Sequence, residues 1–392
     1  MNLLKCYLAI LAGLLAWPLV ACASPYVPTD GSQVIETLAK RNAPEQGDLA
    51  RSRRQLSLAP DNLALAVSLA QRYIAMGRRD ADPRYLGYAQ ASLSPWWRMA
   101  PPPVPVLLLR ATIWQSMHRF DDALADLDAV VNLDRGNPQA WLTRATVLQV
   151  QGRYAEAKAS CARLYRIATP LVARICMSAA SSLNGQAAES YKALLEALSA
   201  DQNSSEDVKE WGIALLADIA WRLGDKPGAE THFRRALALD PSDSYLLGSY
   251  ADFLLDQGRY GEVEALLKDK SRADPLLLRH ALALQGLRSP AVVSEIETLR
   301  WRFEAAGMRQ DGAHLREQSR FELQLMNRPD VALKLSQANW TAQKEPADAR
   351  VLLEAALSAR QPGAAKATIA WVKSRSLQDQ TINRLVQALE QG

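Results

Sequence analysis

The feature that most constrains this chain is a register of 34 residues. Leu109–Ala125 reads LRATIWQSMHRFDDALA, and Thr143–Ala159, 34 positions on, reads TRATVLQVQGRYAEAKA. Arg110-Ala111-Thr112 returns as Arg144-Ala145-Thr146, and Gln115 as Gln149. Arg119-Phe120 returns as Arg153-Tyr154, Ala123 as Ala157, and Pro241 as Pro275. Small residues held in phase at a fixed period mark one helical unit stacked on copies of itself, each burying the apolar face of the next. Such a stack also explains the length. A chain of 392 residues is too long for one ordinary core, whereas a stacked array has no such ceiling.

At residue level the chain resembles the tetratricopeptide repeat family. In pair 138–171, Trp141, Ala145, Gly152, Tyr154 and Ala157 fill the family's places. Pair 207–241 repeats them with Ala217, Gly224, Ala229, Phe233, Ala236 and Pro241, and pair 242–275 with Ala251, Gly258 and Tyr260. The resemblance implies an all-α fold: an α-solenoid, a right-handed superhelix, of about nine antiparallel helix pairs. It implies binding of peptides or proteins and no particular reaction. His118 stands where glycine is expected, which weakens that helix end. Pair 172–203 is degenerate, and the match fades beyond Pro275. The expected organisation is a leader at 1–23, a lead-in with short helices at 24–60, a repeat array at 61–275, and divergent helical repeats with a capping helix at 276–392.

Each recurring residue has a physical task. Alanine at the helix contacts lets backbones approach closely; a larger side chain there costs roughly 1–3 kcal/mol in overpacking. Gly77 sits at the family's spacing in the first pair, and Gly152, Gly224 and Gly258 end first helices, where a positive φ is cheap for glycine. Pro241 and Pro275 are expected to close second helices. Trp96-Trp97 ahead of Pro101-Pro102-Pro103 either seals the joint between the first two pairs or binds a partner, and sealing is the preferred reading.

The first 23 residues read as an export signal: Lys5, then an apolar run Tyr7–Trp17 of 11 residues, too short to span a bilayer. Ala21-Cys22-Ala23 fits cleavage before Ser24 and a soluble periplasmic product. Leu19-Val20-Ala21-Cys22 also fits a lipobox, which would leave Cys22 acylated and make the product an outer-membrane lipoprotein. In a bacterial source both destinations lie beyond the inner membrane. The full chain carries a net charge of +4, and losing Lys5 with the leader leaves +3.

Basic and acidic residues, 46 and 42, are intermixed, which argues against a nucleic-acid partner. His118, His232, His280 and His314 fall in separate repeats without a second ligand at helical spacing, so no metal is expected. No phosphate-binding loop, dinucleotide fingerprint or nucleophile elbow occurs, and no cofactor or catalytic residue is assigned. The expected function is therefore a non-enzymatic scaffold of the cell envelope. The alternatives are a lipid-anchored assembly factor of an envelope machine, and an enzyme subunit whose polar site would gather in 276–392. A membrane contact is expected only through Cys22.

Two further expectations follow from the family architecture. First helices line its concave face, and 34-residue phase matching places Thr112, Gln115, Thr146, Gln149, Trp211, Asp218, Trp221, Tyr245 and Asp252 on it. That groove would run from uncharged polar to acidic and aromatic, suiting a partner with Lys or Arg beside apolar residues. Trp211, Trp221 and Tyr245 otherwise serve as packing between helices. Cys161 and Cys176 lie on adjacent helices of such a stack, and an exported location permits a disulfide between them.

Overall fold

The computed structural model describes residues 44–80, 82–270, 272–308 and 314–391. The leader, the acylation candidate Cys22 and the lead-in up to 43 lie outside the described residues. Arg51–Gly392 forms one compact unit. Among the described residues all regular structure is helical. Helix α1 covers Pro44–Leu58, and nine helix pairs follow. These are α2 Leu63–Asp80 with α3 Arg84–Ser92; then, after the single turn α4 Ser94–Trp97, α5 Val104–Ser116 with α6 Phe120–Leu133. Next come α7 Pro138–Val150 with α8 Tyr154–Leu164, α9 Pro170–Ser182 with α10 Ala187–Ala200, and α11 Glu206–Leu223 with α12 Lys226–Leu239. The sixth pair is α13 Ser244–Leu255 with α14 Tyr260–Leu267, and the seventh α15 Asp274–Gly286 with α16 Val292–Met308. In the eighth, α17 Leu315–Arg320 runs into a π-helical turn, Phe321–Leu325, before α18 Pro329–Ala342. The ninth pairs α19 Pro346–Ser358 with a 3₁₀ turn, Pro362–Ala365, continued by α20 Lys366–Ser374; α21 Gln380–Gln391 ends the chain.

The turn inside each pair from the second to the ninth reuses one backbone device. A residue in the left-handed region occurs at His118, Gly152, Gly185, Gly224, Gly258, Arg288, Asn327 and Arg360. The next N–H reaches back to the carbonyl five residues earlier, as in Arg119 to Trp114, Arg153 to Leu148, Asp225 to Ala220, Ser289 to Leu284 and Gln361 to Ala356, and six earlier in pair eight, where Arg328 reaches Glu322. This is the Schellman closure, which satisfies carbonyls at the end of the first helix. Gly77 does not use it. Helix α2 runs on past Gly77 to Asp80, and a Cβ at Gly77 would lie 3.3 Å from that of Tyr85, so this glycine serves the close approach of α3. Pro275 likewise differs from expectation. It lies in the first turn of α15, where its missing N–H costs nothing, and it starts a first helix rather than closing a second.

Packing follows the sequence phases. Ala111, Ala145, Ala157, Ala217, Ala229 and Ala251 are fully buried. The largest core runs from Leu171 to Ala283 and centres on Phe233, Tyr250 and Phe253, with ring centroids of Phe233 and Phe253 5.5 Å apart. Further cores join neighbouring pairs: Leu107 to Ala180, Leu277 to Leu325, and Ala332 to Leu389. Trp96 is buried, and Trp97 meets Trp114 edge-on at 5.2 Å with Arg110 beside it. These tryptophans seal the joint between the first two pairs. Cys161 on α8 and Cys176 on α9 are bonded, with Cα atoms 5.5 Å apart, inside a small core with Ala145, Leu164 and Ala173.

One arrangement has no counterpart in the repeat pattern. The turns of pairs two to six lie against 315–391. Gln343 donates its amide to Nδ1 of His118 at 2.9 Å. The Lys344 N–H donates to the Val150 carbonyl at 2.7 Å, and the Tyr154 hydroxyl donates to the Lys344 carbonyl at 3.2 Å. Gln378 accepts from the Ala187 N–H at 2.6 Å, and Gln380 donates to the Leu223 carbonyl at 2.9 Å. Arg350 forks onto Asp256 at 2.7 and 2.8 Å. Glycine at two of these turns also leaves room for the C-terminal segment. A Cβ at Gly152 would lie 3.2 Å from both Lys344 and Trp371, and one at Gly224 would fall 2.2 Å from Gln380.

Candidate functional site

The residues expected to line the groove meet different fates. Thr112 and Thr146 donate their hydroxyls to the Leu108 and Leu142 carbonyls of their own helices, at 3.0 and 3.1 Å. Gln115 and Gln149 are half-buried. Trp211 and Trp221 pack against the large core, with the Trp221 ring 6.1 Å from Phe253 and 6.5 Å from Phe233. Both are half-buried and serve as packing between helices.

Asp252 is also not an open carboxylate. Arg279 meets it at 2.5 Å and Arg320 at 2.9 Å, and both arginines are mostly buried. Burial works to raise its pKa; the two guanidiniums overcome that and hold it at about 2. It ties pair six to pairs seven and eight, so it is a structural anchor rather than a contact for a basic partner. Asp218 pairs with Arg222 at 3.0 Å and stays 39% exposed. Arg222 is buried and also donates to the Ser182 carbonyl and hydroxyl at 3.1 and 3.0 Å.

Tyr245, near the start of α13, is an exposed aromatic. Its ring is 75% exposed, yet burial of its surroundings pushes its phenol above the ordinary value, with Asp218 and Glu345 adding to the rise and Arg316 opposing it. Glu345 and Arg316 come from pairs nine and eight, about 70 to 100 residues away in sequence, and no 34-residue phase points to them.

Those two belong to a polar cluster in the C-terminal third. Arg316 serves Glu345 at 3.2 Å, Asp348 at 3.3 Å and Glu317 at 3.4 Å. Asn339 donates to Asp348 at 2.9 Å, and the Glu345 N–H donates to the same carboxylate at 2.9 Å, forming a capping box at the start of α19. Burial raises both Glu345 and Asp348, and the Arg316 guanidinium only partly opposes that rise. The cluster spends its hydrogen bonds on joining pair eight to pair nine. Among the described residues no three His, Cys, Asp or Glu side chains gather as a metal site. A cleft of about 400 Å³ lies where the turns of pairs two and three meet the end of α18, lined by His118, Asp121, Gln151, Arg153, Thr341 and Lys344 among others. Its charges are mixed.

Glu210 on α11 faces Asp207, Asp240 and Asp243. Burial first, and those carboxylates next, raise it to about 7. A carboxyl raised in the folded state favours folding fully below its unfolded value near 4.5, and that contribution is lost as pH rises through 7. Glu210→Gln is therefore expected to leave the melting temperature unchanged at pH 4.5 and to raise stability by about 1 kcal/mol at pH 8, solvent screening allowed for. Equal effects at both pH values would show that Glu210 titrates normally.

With this geometry in view, comparison with known proteins is informative for the repeats. A tetratricopeptide repeat family model matches residues 109–171 and 215–271. No curated protein sequence matches the chain. Among solved structures, the APC/C hetero-tetramer Cut9–Hcn1 aligns with a TM-score of 0.41 and 12% identity over 88% of this chain and 52% of that one. This chain thus spans about half the length of that one. The human IFIT1 dimer with PPP-AAAA aligns with a TM-score of 0.40 and 15% identity, covering 89% of this chain and 88% of that one. A tetratricopeptide repeat protein from Parabacteroides merdae aligns with a TM-score of 0.32 and 12% identity, covering 73% and 98%. Residues 109–171 and 215–271 are thus similar to tetratricopeptide repeats, and helix pairs continue on both sides of them.

Proposed function

We propose that this protein is an exported, non-enzymatic scaffold of a bacterial cell envelope that binds a protein or peptide through the first-helix face of its repeats. The observation that carries the reading is Tyr245, a 75% exposed aromatic on that face with Asp218 and Glu345 close enough to raise its phenol. An exposed ring supplies contact area and can take a cation over its face; the carboxylates supply charge complementarity. The favoured ligand is a segment with Lys or Arg beside apolar side chains. The test is a panel of synthetic peptides, basic–apolar against acidic–apolar. Basic–apolar peptides bind, more weakly at high salt, and Tyr245→Ala with Asp218→Ala weakens them at least tenfold while far-UV dichroism is unchanged. Equal binding of both classes, or no loss in the double variant, would move the site elsewhere.

The lipobox Leu19-Val20-Ala21-Cys22 favours one variant of this reading, an outer-membrane lipoprotein that assists assembly of an envelope machine. Uptake of labelled fatty acid, abolished by Cys22→Ser, supports it. A mature N-terminus at Ser24 supports the soluble periplasmic form instead.

A further inference from the structure

We infer that the contact between 315–391 and the turns of pairs two to six is a reversible clasp, which opens while each repeat stays folded. The argument lies in what holds the two sides. Within the solenoid, consecutive pairs share apolar cores, of which the one around Phe233 and Phe253 is the largest. Across the clasp the bonds are mostly polar, and they come from five separate turns. They include the Gln343–His118, Lys344–Val150, Tyr154–Lys344, Gln378–Ala187 and Gln380–Leu223 hydrogen bonds and the Arg350–Asp256 ion pair, 2.7 Å long. Apolar contact is limited to patches such as Tyr154 against Trp371, ring centroids 6.1 Å apart, and Leu183 against the C-terminal core.

Such bonds exchange readily for bonds to water, and each contributes little net. Interfaces of this polar kind inside one chain are the ones that move. Each repeat packs chiefly on its neighbours, so a small change in the angle between successive pairs adds up along the array. Opening therefore needs no repeat to unfold.

Hydrogen exchange of the full chain, read by mass spectrometry without any peptide, tests the clasp. The amide N–H groups of Lys344 and Ala187 are donors across it, whereas those of α12 are internal. In wild type at high salt, segments holding Lys344 and Ala187 exchange at least tenfold faster than α12. Asp256→Arg, which sets two cations face to face, speeds those segments further at low salt and leaves α12 unchanged. The exchange of charges, Asp256→Arg with Arg350→Asp, restores slow exchange. The clasp is overturned if the two segments exchange as slowly as α12 at every salt concentration. It is equally overturned if α12 accelerates in step with them, since closure is then part of one cooperative fold. Failure of peptides to bind leaves these readings untouched, and failure of the clasp leaves peptide binding testable.

Discussion

Asp252→Ala is expected to cost about 3–5 kcal/mol, the usual penalty for removing one partner of a buried ion pair. The loss is large because two guanidiniums converge on this carboxylate, Arg279 at 10% and Arg320 at 15% side-chain exposure, and both would be left without their counter-charge. Asp218→Ala is the control. Its carboxylate is 39% exposed and pairs within one helix, so the loss is about 1 kcal/mol or less. Urea or thermal unfolding followed by far-UV dichroism measures both. Similar losses in the two variants would mean that Asp252 is not an anchor. The same triad sets an acid limit. With the folded pKa near 2 and the ordinary value at 3.8, the contribution of Asp252 is present above 3.8 and is lost as pH falls through 2.

Removing the disulfide is expected to cost about 3 kcal/mol in the chain-entropy model, for a separation of 15 residues. Cys161 and Cys176 would still pack as small buried residues beside Ala145 and Leu164, so the loss resides in the freed loop rather than in a cavity. Cys161→Ser with Cys176→Ser should lower the unfolding midpoint, and so should reduction of the wild type. Thiol titration of the unfolded, unreduced protein decides whether the bond forms in the cell that makes it. Two reactive thiols from this pair would end the prediction, and none from it would agree.

The sequence by itself determined the local plan. The 34-residue phase located buried alanines and the glycine turns at 152, 224 and 258, and apolar residues at three- and four-residue spacing beyond Pro275 marked the remaining helix pairs and the terminal helix, because each depends on neighbours within one or two repeats. It also put Cys161 and Cys176 on adjacent helices. The fading after Pro275 reflects changed side chains and local backbone departures, the π-helical turn Phe321–Leu325 and the 3₁₀ turn Pro362–Ala365. Arg288, Asn327 and Arg360 take the same left-handed turn without glycine, at roughly 1–2 kcal/mol each, which the closing hydrogen bonds offset. The tertiary structure alone decided which surface is free. Asp252 meets Arg320 across 68 residues, Asp256 meets Arg350 across 94, and Tyr154 meets Lys344 across 190. These pairings arise from small rotations summed over several repeats, and no single repeat encodes that sum. So Asp252, in phase with Asp218 in sequence, became an anchor, whereas Tyr245 stayed exposed beside partners that no periodicity could supply.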